Sequence, residues 1–222
     1  MRRVVILRPE PGAGETEARA RAMGLDAVKY PLFAPVAIAW EPPAPEAFDA
    51  LLLTSANGVQ MAGPALANYR ALAAYGVGDA TALALRRAGF PHAVAGAADA
   101  SAIAARIAAD DHGRVLHLSG AAVAPMDAGS LIVRRIPVYA MRGLPVPEGL
   151  ADAPDGAAML VHSSRAGERL AAIIPEERRA GLHLIAISTA ALAASGAGWR
   201  SAQAPDRPRD DEMLALAARL CE

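Results

Sequence analysis

The sequence predicts an α/β protein made of two similar parallel-sheet domains, and three observations point there. Short apolar runs alternate with helix-forming stretches along the whole chain, the pattern of βα units and parallel sheets. Two strand–turn–helix blocks recur. LLLTSANGVQMAG from Leu51 matches MLVHSSRAGERLA from Met159 at an offset of 108 residues, and YGVGDATALALRRAGF around Val77 matches IAISTAALAASGAGW around Ile187 at 110. These offsets are too long for a solenoid repeat and close enough to each other to read as a duplication. Finally, 222 residues, 54% of them hydrophobic, suffice for two domains of roughly 100 residues with a core each.

The elements follow in order. RRVVILRP is a buried strand whose apolar run is stopped by Arg8 and Pro9. GETEARARAMG is a helix ended by Gly24. DAVKYP is a second strand, PVAIAW a third extended piece, and EPPAPEA a connection. Leu51 to Leu53 form the next strand core, with Thr54 to Asn57 turning into a helix. LAAYGVGDATALALRRAGF is strand, turn and helix, closed by Gly89, and HAVAG is a strand. DASAIAARIAAD is a helix with Ser101 as N-cap and Ile103 and Ile107 on one face. VLHLSG and LIVRRIPVYAM are extended, and PVPEG is a loop. AAMLVHSSRAGERLAAII and LHLIAISTAALAASGAGW are again strand, turn and helix. RSAQAP is a strand, and DDEMLALAARL a last helix with Met213, Leu216 and Leu220 on one face.

Composition excludes several classes. A net charge of -1 argues against a nucleic-acid binder, which needs a basic excess. Lys29 is the only lysine, a bias expected of a GC-rich genome, so the other cations are arginines with a rigid fork suited to carboxylates. The single cysteine, Cys221, excludes a disulfide framework. The apolar part of MRRVVILRPEPG is too short for a signal peptide, and no apolar run is long enough to span a membrane. The protein is expected to be cytoplasmic.

The strand–turn–helix junctions are the candidate site. In open α/β sheets ligands bind beyond the carboxyl ends of the strands, where helix N-termini offer free N–H groups and a partial positive charge. The junctions are Arg8-Pro9, Thr54 to Gly58, Gly78 to Thr81, Ser119-Gly120, His162 to Arg165 and Ser188-Thr189, all small, polar or basic. Ordinary N-capping explains any one of these hydroxyls; the same chemistry at every junction points to anion binding. No GxxxxGK[ST] or GxGxxG indicates a nucleotide, and no GxSxG indicates a nucleophile elbow. The histidines at 92, 112, 117, 162 and 183 lack metal-ligand spacing, and His117 and His183 alternate with apolar residues as structural strand positions.

The ordered set LRPEPG, FDALLLTSANGV, VGDATALALRRAG, VLHLSG, IPVYAM, LVHSSRAGERL and IAISTAALAASG resembles the uroporphyrinogen-III synthase family over nearly the whole chain. The resemblance implies a flavodoxin-like, HemD-like fold of two α/β domains joined by a two-stranded β-ladder and able to hinge around substrate. The first domain would be residues 1–35 with 141–222, the second 39–136, with ladder strands at 36–40 and 134–140. It implies a lyase that dehydrates and cyclises hydroxymethylbilane, a linear carboxylate-rich tetrapyrrole, inverting ring D to give uroporphyrinogen III on the way to haem. No cofactor or metal is implied.

Tyr139, from the VY of IPVYAM, is the matched candidate proton donor; packing across the ladder is the alternative. Arg8, Ser55, Ala56, Asn57, Gly78, Thr81, Ser119, Gly120, Ser163, Ser164, Arg165, Ser188 and Thr189 would bind substrate carboxylates. The chain departs from the family pattern at Ala191, where threonine is usual, at HSSR, and in the shortened segment AAVAPMDAGS. A monomer is expected, with hydroxymethylbilane synthase as a transient partner and no nucleic acid or membrane. The competing reading is a non-catalytic tetrapyrrole- or small-anion-binding regulatory protein on the same fold.

Overall fold

The computed structural model describes residues 3–96 and 99–221. Arg2, which opens the predicted first strand, and the Cys221 side chain lie outside the described residues. The fold is α/β with two parallel sheets, and the chain divides into two compact units: Met1–Ala34 with Arg142–Glu222, and Pro35–Met141. In chain order come β1 (Arg3–Ile6), α1 (Gly12–Ala22), β2 (Asp26–Lys29) and β3 (Phe33–Ala37). Next are β4 (Ala50–Leu53), α2 (Ala56–Met61), β5 (Ala73–Val77), α3 (Asp79–Arg87), β6 (Val94–Gly96) and α4 (Ala100–Ala109). Then follow β7 (Arg114–Gly120), β8 (Ile132–Gly143), β9 (Ala158–Val161), α5 (Ser164–Ile173) and α6 (Glu176–Arg179). The chain closes with β10 (His183–Ala186), α7 (Thr189–Ala194), β11 (Ser201–Gln203) and α8 (Asp210–Cys221).

One sheet has the order β11-β10-β9-β1-β2, the other β3-β8-β7-β4-β5-β6. The ladders β1–β2, β1–β9, β9–β10 and β10–β11 are all parallel, as are those linking β4 to β5 and β7, β5 to β6, and β7 to β8. The repeat matches β4 with β9 and β5 with β10. Extended along both sheets, it superposes β8-β7-β4-β5-β6 on β2-β1-β9-β10-β11. The two units therefore hold the same sheet entered at different points. One begins with the strand pair that the other ends with, which is why only part of the duplication is visible as collinear sequence.

The central strands β4, β9 and β10 are almost wholly apolar and buried along their length because both faces are covered. In the second unit Leu51 and Leu53 join the cluster containing Val59, Leu85, Leu116 and Leu118, while Ala50 and Leu52 join Ile103, Ile107 and Val115 on the opposite face. Each fully buried leucine contributes about 2 kcal/mol by removal from water. In the first unit Val4 and Ile6 pack with Ala13, Ala20, Met213 and Leu214. The buried side of α8 runs through Met213, Leu214 and Ala217; Leu216 and Leu220 are only partly covered. Gly24 (φ 76°) and Gly89 (φ 98°) end their helices in the left-handed region that glycine adopts without a Cβ clash.

The structure corrects one expected cap and adds elements the periodicity did not reveal. Asp99, not Ser101, caps α4: its backbone is extended and its carboxylate accepts from Ala102 N at 2.9 Å. A carboxylate also complements the positive helix end better than a hydroxyl. Ser101 lies inside the first turn and accepts instead from Asp127 N at 3.0 Å. The helix α6 (Glu176–Arg179) and a 3-10 turn over Pro64–Tyr69 are too short to show periodicity. Residues 121–131 form no helix, so β7 and β8 lack the covering element that α1 supplies between β1 and β2. No helix among the described residues is long and apolar enough to cross a membrane.

Candidate functional site

In a doubly wound sheet the ligand crevice opens where neighbouring strands send their connections to opposite faces. In the second unit that point lies between β4 and β7, and in the first between β9 and β1. The predicted junction residues fall at the carboxyl ends of these strands and of β5 and β10 beside them.

In the second unit, Ser55 caps α2 with its side chain accepting from Asn57 N at 3.1 Å. The hydroxyl hydrogen remains available to an acceptor. The Asn57 side-chain oxygen is buried and meets no hydrogen-bond partner among the described residues. Ala56 and Asn57 are half-buried at the same helix start. One strand along, Gly78 (φ 77°) opens α3 without a side-chain cap. Thr81 is 3% exposed and packs on Gly76, while Ser119 is 1% exposed and donates to the Gly120 carbonyl at 3.0 Å. Thr81 and Ser119 thus sit inside the unit, behind the more accessible Ser55 and Asn57.

Tyr139 is brought to this end by a break in strand register. Ser119 pairs with Pro137 but Gly120 pairs with Tyr139, so β8 carries one extra residue there. Proline has no N–H to give a central strand, and a bulge is where one is tolerated. In an unbroken strand Tyr139 would face away from Ile136. The bulge turns it to the α2 side, where it packs against the cluster containing Val138 and Val59. The Ala121 N–H donates to the Tyr139 carbonyl at 2.8 Å. The half-buried phenol lies beside Gly58 and Gly120, and its hydroxyl makes no hydrogen bond with any described residue.

In the first unit, Ser163 caps α5 by accepting from Ala166 N at 3.2 Å, and Ser188 caps α7 by accepting from Ala191 N at 3.3 Å. Ser163, Arg165 and Thr189 are exposed and Ser164 is half-buried. The guanidiniums of Arg165 and Arg169 lie 4.6 and 5.1 Å from the centre of the Phe33 ring. This cation–π seat holds Arg165 at the start of α5, where a lone cation would oppose the helix dipole. Ala191, at the position matching Thr81, is fully buried, so its missing hydroxyl lies in the packing interior.

Arg8 is engaged within the unit. Its guanidinium is 3.4 Å from the Thr16 hydroxyl and 3.6 Å from the Asp210 carboxylate. Asp210 also accepts from Thr16 at 2.9 Å and from His162 Nε2 at 2.7 Å, and pairs with Arg19 at 2.7 Å. Burial opposes ionisation of Asp210, but the hydrogen bonds from His162 and Thr16 outweigh it and hold the carboxyl below its usual range. Burial pushes His162 down, against the raising effect of Asp210. His162 is therefore neutral near pH 7 and donates Nε2–H to the carboxylate. The sequence signalled Asp210 only as an acidic helix start, and Thr16 and Phe33 not at all, because their partners are distant in the chain. Among the described residues no cluster of His, Cys, Asp and Glu could hold a metal ion.

Two flavodoxin-like units, each with hydroxyls and backbone amides gathered at the carboxyl ends of a parallel sheet, define the class of this protein as a two-unit α/β fold. The family model of uroporphyrinogen-III synthase HemD matches residues 14–215, and the chain belongs to that family. Uroporphyrinogen-III synthetase from Helicobacter pylori shares the fold with a TM-score of 0.67 at 16% identity, covering 99% of this chain and 100% of that one. A substituted uroporphyrinogen III synthase from Thermus thermophilus aligns with a TM-score of 0.51 at 19% identity, covering 100% and 99%. No curated protein matches the chain by sequence.

Proposed function

We propose that this protein is a cyclising hydro-lyase that converts hydroxymethylbilane to uroporphyrinogen III with inversion of ring D. The observation that carries the reading is the family match across residues 14–215. The reaction removes the terminal hydroxyl as water, leaving a cationic azafulvene; ring D attacks it through its substituted α-carbon, the bond from that carbon to the C–D bridge breaks, and the bridge re-forms on the other α-carbon, which loses its proton, so that ring D ends inverted. The Tyr139 hydroxyl, not committed to any described acceptor, donates the proton that helps this water leave. Most of the rate comes from holding the bilane in one geometry, because an unheld chain also closes without inversion. Substrate carboxylates bind the amides and hydroxyls at Ser55, Asn57, Ser163, Ser164, Ser188 and Thr189, and Arg165 adds a charge-assisted bond. Arg8, tied to Asp210, shapes the β1 turn more than it offers free charge. Thr81 and Ser119 back these groups from the interior. The protein acts as a cytoplasmic monomer that takes the unstable bilane from hydroxymethylbilane synthase through a transient contact.

The test generates the bilane from porphobilinogen with hydroxymethylbilane synthase, adds this protein, and separates the oxidised products by isomer. Type III product in excess is expected, with Tyr139→Phe lowering kcat about a hundredfold or more. Type I product alone, equal to the reaction without this protein, would remove the enzyme reading and leave a non-catalytic binder of the same ligand.

A further inference from the structure

We propose that Gly120 is a positioning residue for Tyr139, fixing the location of the phenolic hydroxyl through the space its absent side chain leaves. The inference rests on the reading of Tyr139 as the proton donor. A Cβ built on Gly120 would lie 3.0 Å from Tyr139 Cζ, 3.1 Å from its hydroxyl oxygen and 3.4 Å from the Ala122 carbonyl oxygen, the first two tighter than about nine in ten real Cβ contacts. The tip of the phenol, the part that would do the chemistry, therefore crowds the place where any other residue at 120 would put its first carbon and would have to give by a few tenths of an ångström. Gly120 pairs with Tyr139 at the register break between β7 and β8, and it is absent from the positive-φ glycines. Room for the ring, not backbone freedom, is thus what asks for glycine.

The flank of the ring is set separately. A Cβ on Gly58 would sit 3.8 Å from Tyr139 Cε1, an ordinary contact, so the α2 side is close without being tight. The bulge at Pro137 and the Ala121 N–H to Tyr139 carbonyl bond at 2.8 Å anchor the backbone. With the main chain held and one flank covered, the remaining freedom is the direction in which the ring leans. Gly120 lets it lean down over the end of β7.

This gives Gly120 a role other than holding substrate. Alanine there would lift the hydroxyl by a few tenths of an ångström and leave the helix starts at Ser55, Ser163 and Ser188 unaltered. A displacement of about 1 Å at a reacting group costs about a hundredfold in rate, so a smaller one should cost roughly tenfold.

The experiment is a double-mutant cycle of Gly120→Ala and Tyr139→Phe, read as kcat and KM in the coupled assay. Thermal unfolding and spectra of ¹³C-tyrosine-labelled protein accompany it. Gly120→Ala is expected to lower kcat about tenfold with KM within twofold, and to change kcat less than twofold when Tyr139 is already phenylalanine. The Tyr139 ring signals, identified by their loss in Tyr139→Phe, should shift while those of the other tyrosines stay. An equal loss in both backgrounds, an unchanged kcat in the single variant, or unmoved Tyr139 signals would overturn the inference while leaving the donor reading intact. Full activity of Tyr139→Phe would overturn the donor reading itself, and the inference with it. Should Gly120→Ala not fold, Gly120→Ser is read by the same spectra, and an unshifted ring again counts against the seat.

Discussion

His117 supplies the most quantitative prediction. It sits in the middle of β7, 3% exposed, paired with Leu52 on one side and Arg135 on the other. Its Nε2 is buried and meets no hydrogen-bond partner among the described residues. Burial, and secondarily the charge of Arg135, pushes its pKa down to about 4, against about 6.5 in an unfolded chain. Between those values the unfolded state takes up a proton that the folded state refuses. Stability is therefore complete above about pH 6.5 and falls as pH drops towards 4, by about 3 kcal/mol from this one residue. The perturbation is His117→Leu, which keeps a side chain of similar size and removes the titrating group. Urea unfolding of both proteins at pH 7.5 and pH 4 gives the measurement. The native chain should lose about 3 kcal/mol more than the variant over that interval, because all other titrations are common to both. At pH 7.5 the variant should be no less stable, since it also removes a buried polar ring nitrogen that meets no partner among the described residues. Equal losses in the two proteins would show that His117 is hydrated or relaxes to a partner when protonated, and the reasoning would fail.

Two further outcomes test the local assignments. Asp210→Ala removes the shared acceptor of Thr16 and His162 and the partner of Arg19 and Arg8, with its side chain only 10% exposed; a loss of about 3 kcal/mol by denaturant titration is expected. Because the Asp210 pKa is lowered in the folded state, the part of this loss that depends on its charge is full above about pH 4 and fades as the pH falls through the folded pKa. Asp99→Ala should cost about 1 kcal/mol and Ser101→Ala distinctly less, as the observed cap of α4 requires; thermal melts of the two variants side by side decide it, and the reverse order would restore Ser101 as the cap.

The sequence determined the alternation of strands and helices, the small polar turns and the recurrence of one unit, because these reside in patterns only a few residues long. Leu51 to Leu53 mark a strand core, and Gly24 and Gly89 mark helix ends. Caps were legible where hydroxyl and helix start coincide, as at Ser55, Ser163 and Ser188. Asp99 escaped because Ser101 offered the same chemistry two residues later, and only the backbone says where the first helical residue lies. The permuted relation of the two sheets was hidden, since strand order is fixed by long-range pairing that linear spacing does not encode. The same holds at the site. IPVYAM marks Tyr139, but the bulge at Pro137 that turns the ring, and the empty space at Gly120 that receives it, exist only once β7 and β8 are side by side. Arg8 read as a free cation until folding placed Thr16 and Asp210 beside it. Local residues choose the elements; which charges are spent within the fold and which are left for a ligand is decided by what tertiary packing brings into contact.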